Sequence, residues 1–181
     1  RNLTRHMIGG GAEGILFTCS AFRQVIDACI AESEVPILKP NDAMIEKALR
    51  EQGLSFHELG QRDGRKEDFG RAVALYGVYL AAFPSSPEAY RLQFYTGEIL
   101  FHRLGRSSEA GEAYMAAAQL NPKGEFTRDA LYNAIGAFER VREGEIKQCT
   151  GDAPCPETEN DKHFSRAIEL YASYFPNDPD L

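Results

Sequence analysis

Tryptophan is absent from this chain, and Ile- or Val-rich alternating runs are scarce, which argues against a sheet as its organising element. Positive charge is the minority sign: 20 Lys and Arg face 27 Asp and Glu, a formal net charge of −7. Nucleic-acid phosphates call for a positive surface, so non-specific nucleic-acid binding is disfavoured. Long apolar runs are missing too. The best candidate, 14–30, is broken by Arg23 and Asp27 and reads as amphipathic, so no membrane span is expected. Histidine is sparse: His6, His57, His102 and His163 are scattered, without H-E-x-x-H spacing or a histidine–cysteine arrangement. The serines lack a nucleophile-elbow context, and the carboxylates fall mostly on polar helix faces. No catalytic residue, metal, cofactor or small-molecule substrate is expected.

What is present suits an ordered globular domain. At 181 residues the chain is long enough for one sizeable core or one short solenoid, burying roughly 70% of its unfolded surface. It begins at Arg1, which reads as a processed form or an excised piece. It ends just after a helix, where a solenoid would normally carry a cap, so further chain or a partner is expected there. Asn2-Leu3-Thr4 is a formal glycosylation sequon with nothing to support it. The run from Gly9 to Gly14 formally satisfies G-x-G-x-x-G, but a dinucleotide site needs a strand before it and a βαβ unit after it. A flexible lead-in over 1–12 is the reading adopted.

Four cysteines fall in two pairs. Cys149 and Cys155 bracket a turn-rich Thr-Gly-Asp-Ala-Pro stretch that can bring the sulfurs together. A disulfide is the favoured reading, contributing on the order of 2 kcal/mol and implying an oxidising compartment such as a periplasm. Two free thiols in a cytosolic loop is the alternative, and the spacing disfavours zinc. Cys19 and Cys29 lie about 15 Å apart along one apparent helix and read as buried small hydrophobes.

From Glu13 to about Ser33, Ile15, Phe22, Val25, Ile26, Cys29 and Ile30 recur at helical spacing. Pro36 and Pro40 break the chain, and Asn41 is a good N-cap for a helix striped by Ile45, Ala48, Leu49 and Gln52. That helix continues to Leu59 if Gly53 does not end it. The remaining helices are expected over 67–83, 88–104, 108–120, 126–141 and 162–175, with a polar, turn-rich stretch at 142–161.

One pattern recurs along these helices. Ala72, Tyr76, Tyr79 and Pro84 are followed, 38 residues on, by Ala110, Tyr114, Ala117 and Pro122. Ala167, Tyr171 and Tyr174 open a third copy that reaches its proline early, at Pro176. With Phe56, Leu59 and Gly60 ahead of the first copy, Phe94 ahead of the second and Tyr132, Ile135 and Gly136 ahead of the third, the chain resembles the tetratricopeptide repeat family. It departs in the second copy, where Glu98 takes the glycine position and Gly97 lies one residue early, and in the third, split by a 19-residue insertion. The Phe-Pro endings at 83–84 and 175–176 resemble the subgroup of bacterial cell-envelope proteins.

The resemblance implies an all-α fold: a short right-handed α-solenoid of antiparallel helix pairs. Repeats would fall at 53–86, 91–124 and 129–179, the last with its insertion at about 142–161, and helices at 13–52 would pack on the array. It also implies a concave groove lined by the first helix of each pair. The groove positions are His57, Gln61, Tyr95, Ile99, His102, Asn133, Ala137 and Arg140. The N-terminal helices filling the groove themselves is the competing reading. The clamp by which chaperone-binding members hold a peptide carboxylate is absent, because its positions hold His57, Gln61, Thr96, Ala130 and Ala134. The function expected is a non-catalytic scaffold of a bacterial envelope assembly, periplasmic or envelope-associated, whose groove takes a peptide or helix of a partner protein. A cytosolic adaptor subunit and a helical fragment of a larger enzyme are the alternatives.

Overall fold

A computed structural model describes residues 15–16, 37–38, 40–149 and 155–179. The lead-in, the sequon, the glycine-rich run, Cys19, Cys29, most of the helix expected over 13–33, and 150–154 lie outside the described residues. The chain divides into two compact units, Arg1–Leu49 and Arg50–Leu181.

In the first unit, β1 (Ile15–Leu16) pairs in parallel with β2 (Ile37–Leu38), Ile15 opposite Ile37 and Leu16 opposite Leu38. Ile15 therefore does not open a helical stripe. Its β-branched side chain suits an extended backbone, and the prolines at 36 and 40 deny a helix to its partner strand. Helix α1 (Pro40–Asp63) starts at Pro40, whose fixed φ is ready-made for a first helical residue, so Asn41 lies inside the helix and is not its cap. Ile45, expected on the buried stripe, is exposed.

All other regular structure among the described residues is helical, and the fold class is all-α. After α1 come α2 (Lys66–Ala82), α3 (Ala89–Ile99) with a π-helical turn at Leu100–Leu104, α4 (Ser107–Leu120), α5 (Thr127–Gln148) and α6 (Glu159–Tyr174). The described residues include no helix long and apolar enough to cross a membrane. Helix α4 packs against α3, α5 and α6, so neighbours in sequence are neighbours in space.

Small residues and rings alternate to fill this core. Ala72, Tyr76, Tyr79, Ala110, Tyr114 and Ala117 are all fully buried, which is where the repeated Ala-Tyr pattern goes. Gly53 does not end α1: a Cβ there would lie 2.7 Å from Tyr76 Cε1, so the ring occupies the space that the glycine leaves. Gly97 does the same for α4, since a Cβ on it would meet Tyr114 Cδ1 at 2.6 Å. The displaced glycine of the second copy is thus the one over which the helices close. Gly136 has nothing within 4 Å of that position, so the third copy's glycine does not act this way.

The joints between helix pairs repeat bond for bond. Phe83 N donates to Tyr79 O (2.8 Å) and Ser86 N to Phe83 O (3.1 Å). The same bonds recur from Asn121 N to Ala117 O (3.3 Å) and from Gly124 N to Asn121 O (3.0 Å). After α6 they recur from Phe175 N to Tyr171 O (2.8 Å) and from Asp178 N to Phe175 O (3.0 Å). Tyr79 and Phe83 have centroids 5.5 Å apart at 52°, and Tyr171 and Phe175 5.5 Å apart at 53°. Pro176 is therefore not early, because it follows Phe175 as Pro84 follows Phe83. Tyr171 takes the place of Tyr79, not of Tyr76. What shifts is the buried set upstream, where Ala167 and Leu170 fill the core and Ile168 is exposed.

The stretch read as turn-rich is largely helical at its start. Helix α5 runs seven residues past Val141, because Arg, Glu, Lys and Gln are strong helix formers and the one Gly144 costs only about 1 kcal/mol. Helix α6 begins at Glu159, ahead of the expected 162, and Thr158 and Asp161 form a capping box at its start.

Candidate functional site

The groove positions come from the odd-numbered helices. His57 and Gln61 lie on α1, Tyr95 and Ile99 on α3, His102 on its π turn, and Asn133, Ala137 and Arg140 on α5. Side-chain contacts join these helices into one band. The rings of His57 and Tyr95 meet edge to face at 5.5 Å. Asn133 Nδ2 donates to Glu98 Oε1 (3.2 Å), and the Arg140 guanidinium sits 5.6 Å from the Phe101 ring centroid. Two expected members drop out of the surface: Ile99 is 1% exposed and Ala137 0%, so both belong to the core. A short apolar side chain at such a helix position is drawn inward by the burial it gains. Gln61, His102 and Arg140 are exposed, and His57, Tyr95 and Asn133 half-buried.

His57 is the most constrained member. Its Nδ1 lies 3.2 Å from Tyr76 Oη and its Nε2 3.2 Å from Gln61 Nε2. An amide nitrogen only donates, so Nε2 accepts and Nδ1 carries the proton given to Tyr76 Oη. Burial, then the nearby Arg103, pushes the imidazole below its ordinary value of 6.5. Arg103, on the π turn, also stacks over the Phe69 ring at 5.5 Å. The turn ends at Gly105, whose φ of +68° only glycine adopts readily.

Glu98 is the hub that sequence reasoning missed. Tyr114 Oη donates to its Oε1 at 2.7 Å, beside Asn133, while Oε2 faces His102 Nε2 at 3.8 Å. Burial and this carboxylate together hold the Tyr114 hydroxyl protonated well above the usual phenol range. The signal was present: a carboxylate in a glycine position, four residues before a histidine, needs donors around it. A cavity of about 360 Å³ opens here, lined by Phe94, Glu98, Arg128, Asp129, Tyr132 and Asn133.

The cysteine pair forms a second centre. Cys149 and Cys155 are joined in a disulfide, their Cα atoms 5.9 Å apart, linking the end of α5 to the approach to α6. Around it, Arg142 Nε pairs with Asp161 Oδ1 (2.9 Å) and Thr158 Oγ1 donates to Glu145 Oε2 (3.0 Å). The Thr158 backbone N–H on Asp161 Oδ2, foremost, holds that carboxyl below the usual range. A cavity of about 420 Å³ lies against the disulfide.

No group of three His, Cys, Asp or Glu among the described residues is placed to hold a metal ion. No protein-family model matches the chain, and no curated protein matches it.

Proposed function

We propose that the chain is a non-catalytic interaction module, a tetratricopeptide-like array whose odd-numbered helices present one face to a peptide or helix of a protein partner. The observation that carries this reading is a band of three side-chain contacts, His57 to Tyr95, Glu98 to Asn133 and Phe101 to Arg140, which ties together three helices. Such a band offers half-buried aromatic and exposed cationic anchors on a rigid support, the residue types that dominate interface energies. The bond-for-bond joints after α2, α4 and α6 support a stacked-repeat arrangement. The Cys149–Cys155 disulfide supports an oxidising compartment, such as that of a bacterial envelope assembly.

The test is capture of partners on the immobilised chain, followed by titration of the captured partner against variants. Tyr95→Ala and Arg140→Glu are each expected to weaken binding at least about tenfold, as truncated interface anchors do, with denaturation midpoints showing that both variants fold. Undiminished binding by both variants overturns the reading.

A further inference from the structure

We infer that the cavity between α3 and α5 receives a cationic side chain, an arginine or lysine of the partner protein. The inference rests on the interaction-module reading and names the chemistry of what is bound. Its wall on α3 carries Glu98, fixed in place by two donors on Oε1, while Oε2 has His102 at 3.8 Å, too far for a hydrogen bond. Its wall on α5 carries Asp129, an exposed carboxylate without an ion-pair partner among the described residues. The one cation in the lining, Arg128, is already engaged by both oxygens of Asp178, at 2.6 and 3.0 Å. The remaining carboxylate charge therefore has no counterion from the lining.

Two rings complete the recognition chemistry. Tyr132 is 56% exposed, unusual for a large aromatic beside a core, and Phe94 forms the deeper wall. A ring face attracts a cation, and the apolar stem of a lysine or arginine lies along such surfaces while its head group reaches a carboxylate. The volume of about 360 Å³ is at the small end of ligand sites, which run roughly 300–1,000 Å³. Bridging Tyr114 to Asn133 accounts for Glu98, and a place in the first turn of α5 favours Asp129; neither accounts for their meeting in one cavity beside the exposed Tyr132 ring. The site has the opposite sign to a carboxylate clamp, in keeping with an acidic chain that seeks basic partners.

The test uses the full chain and N-acetyl-arginine methylamide as the probe, with the isosteric uncharged citrulline derivative as control, followed by NMR. Saturable shifts confined to Phe94, Glu98, Asp129, Tyr132 and Asn133 are expected for arginine, with citrulline at least about tenfold weaker, as loss of a charged hydrogen bond implies. Asp129→Asn and Tyr132→Ala, both at exposed positions, are each expected to weaken the arginine probe by about fivefold or more. Equal binding of the two probes, no saturable shift, or full retention by both variants overturns the proposal. Tyr95→Ala and Arg140→Glu lie outside the cavity and are expected to leave probe binding unchanged. Failure of the pocket is therefore separable from failure of the wider face.

Discussion

At the scale of single residues, His57 links the band to solution pH. In the folded chain its imidazole is held neutral by burial and by Arg103, below its ordinary 6.5, whereas the unfolded chain takes up a proton near that value. A protonated ring also loses its acceptor for Gln61. The stability it contributes is thus complete above about pH 6.5 and is lost as pH falls toward the depressed folded-state value. Urea midpoints are expected to drop between pH 7.5 and 5.5, with a shallower drop in His57→Gln; parallel profiles would remove His57 as the cause. Gly97 makes a second residue-scale case. Gly97→Ala drives a methyl into Tyr114, an overpacking that costs about 1–3 kcal/mol, whereas Gly136→Ala meets nothing and is expected to be neutral or to stabilise the helix by about 0.5–1 kcal/mol. Reversed signs in denaturant titrations would show that the second helix pair does not close over Gly97. The buried tyrosines were legible in the sequence from their spacing, because burial and periodicity are one signal. The role of Glu98 was not, since its donors come from two other helices.

At the scale of elements, each odd-numbered helix reaches forward to the joint that follows its own pair. Tyr90 Oη accepts from Phe126 N (2.7 Å) and lies 3.0 Å from Thr127 Oγ1. Arg128, 38 residues later, holds Asp178 in the same manner. Tyr90→Phe removes the acceptor for a backbone N–H, so a loss of about 1 kcal/mol is expected by chemical denaturation, against no change if water replaces the hydroxyl. The disulfide acts within a pair, on the connection between α5 and α6. Its reduction, or Cys149→Ser with Cys155→Ser, is expected to cost on the order of 2 kcal/mol and to speed amide exchange in 142–148 ahead of α4. Equal exchange throughout would separate the disulfide from the end of α5. Helix identities were legible because proline and glycine punctuate them. The end of α5 was not legible, because polar composition alone does not distinguish a solvated helix from a loop. Its partners at the start of α6, Asp161 for Arg142 and the N-cap Thr158 for Glu145, lie in the part of the chain that the helix itself positions.

In the second unit α2 packs on α3, α3 on α4, α4 on α5 and α5 on α6, and helices joined in this serial way distribute stability along the chain more than concentrate it in one nucleus. A local insult should stay local. Gly60→Ala, which would press on the Phe69 ring at 2.9 Å, is expected to lower amide protection in α1 and α2 more than in α5 and α6. A uniform loss of protection would show one cooperative block. The proposed face was only partly legible: the helices that carry it follow from the recurring sequence pattern, but which positions turn inward, as Ile99 and Ala137 do, depends on how far each helix rotates when it docks. The matching joints carry a constructive consequence as well. A length of chain whose two ends make the same bonds is an interchangeable part. Pasting a second copy of 89–126 after Phe126 would keep the bond from Phe126 N to Tyr90 Oη in both copies and add two helices, leaving the packing of the first α4 on the second α3 as the one interface the protein does not already contain.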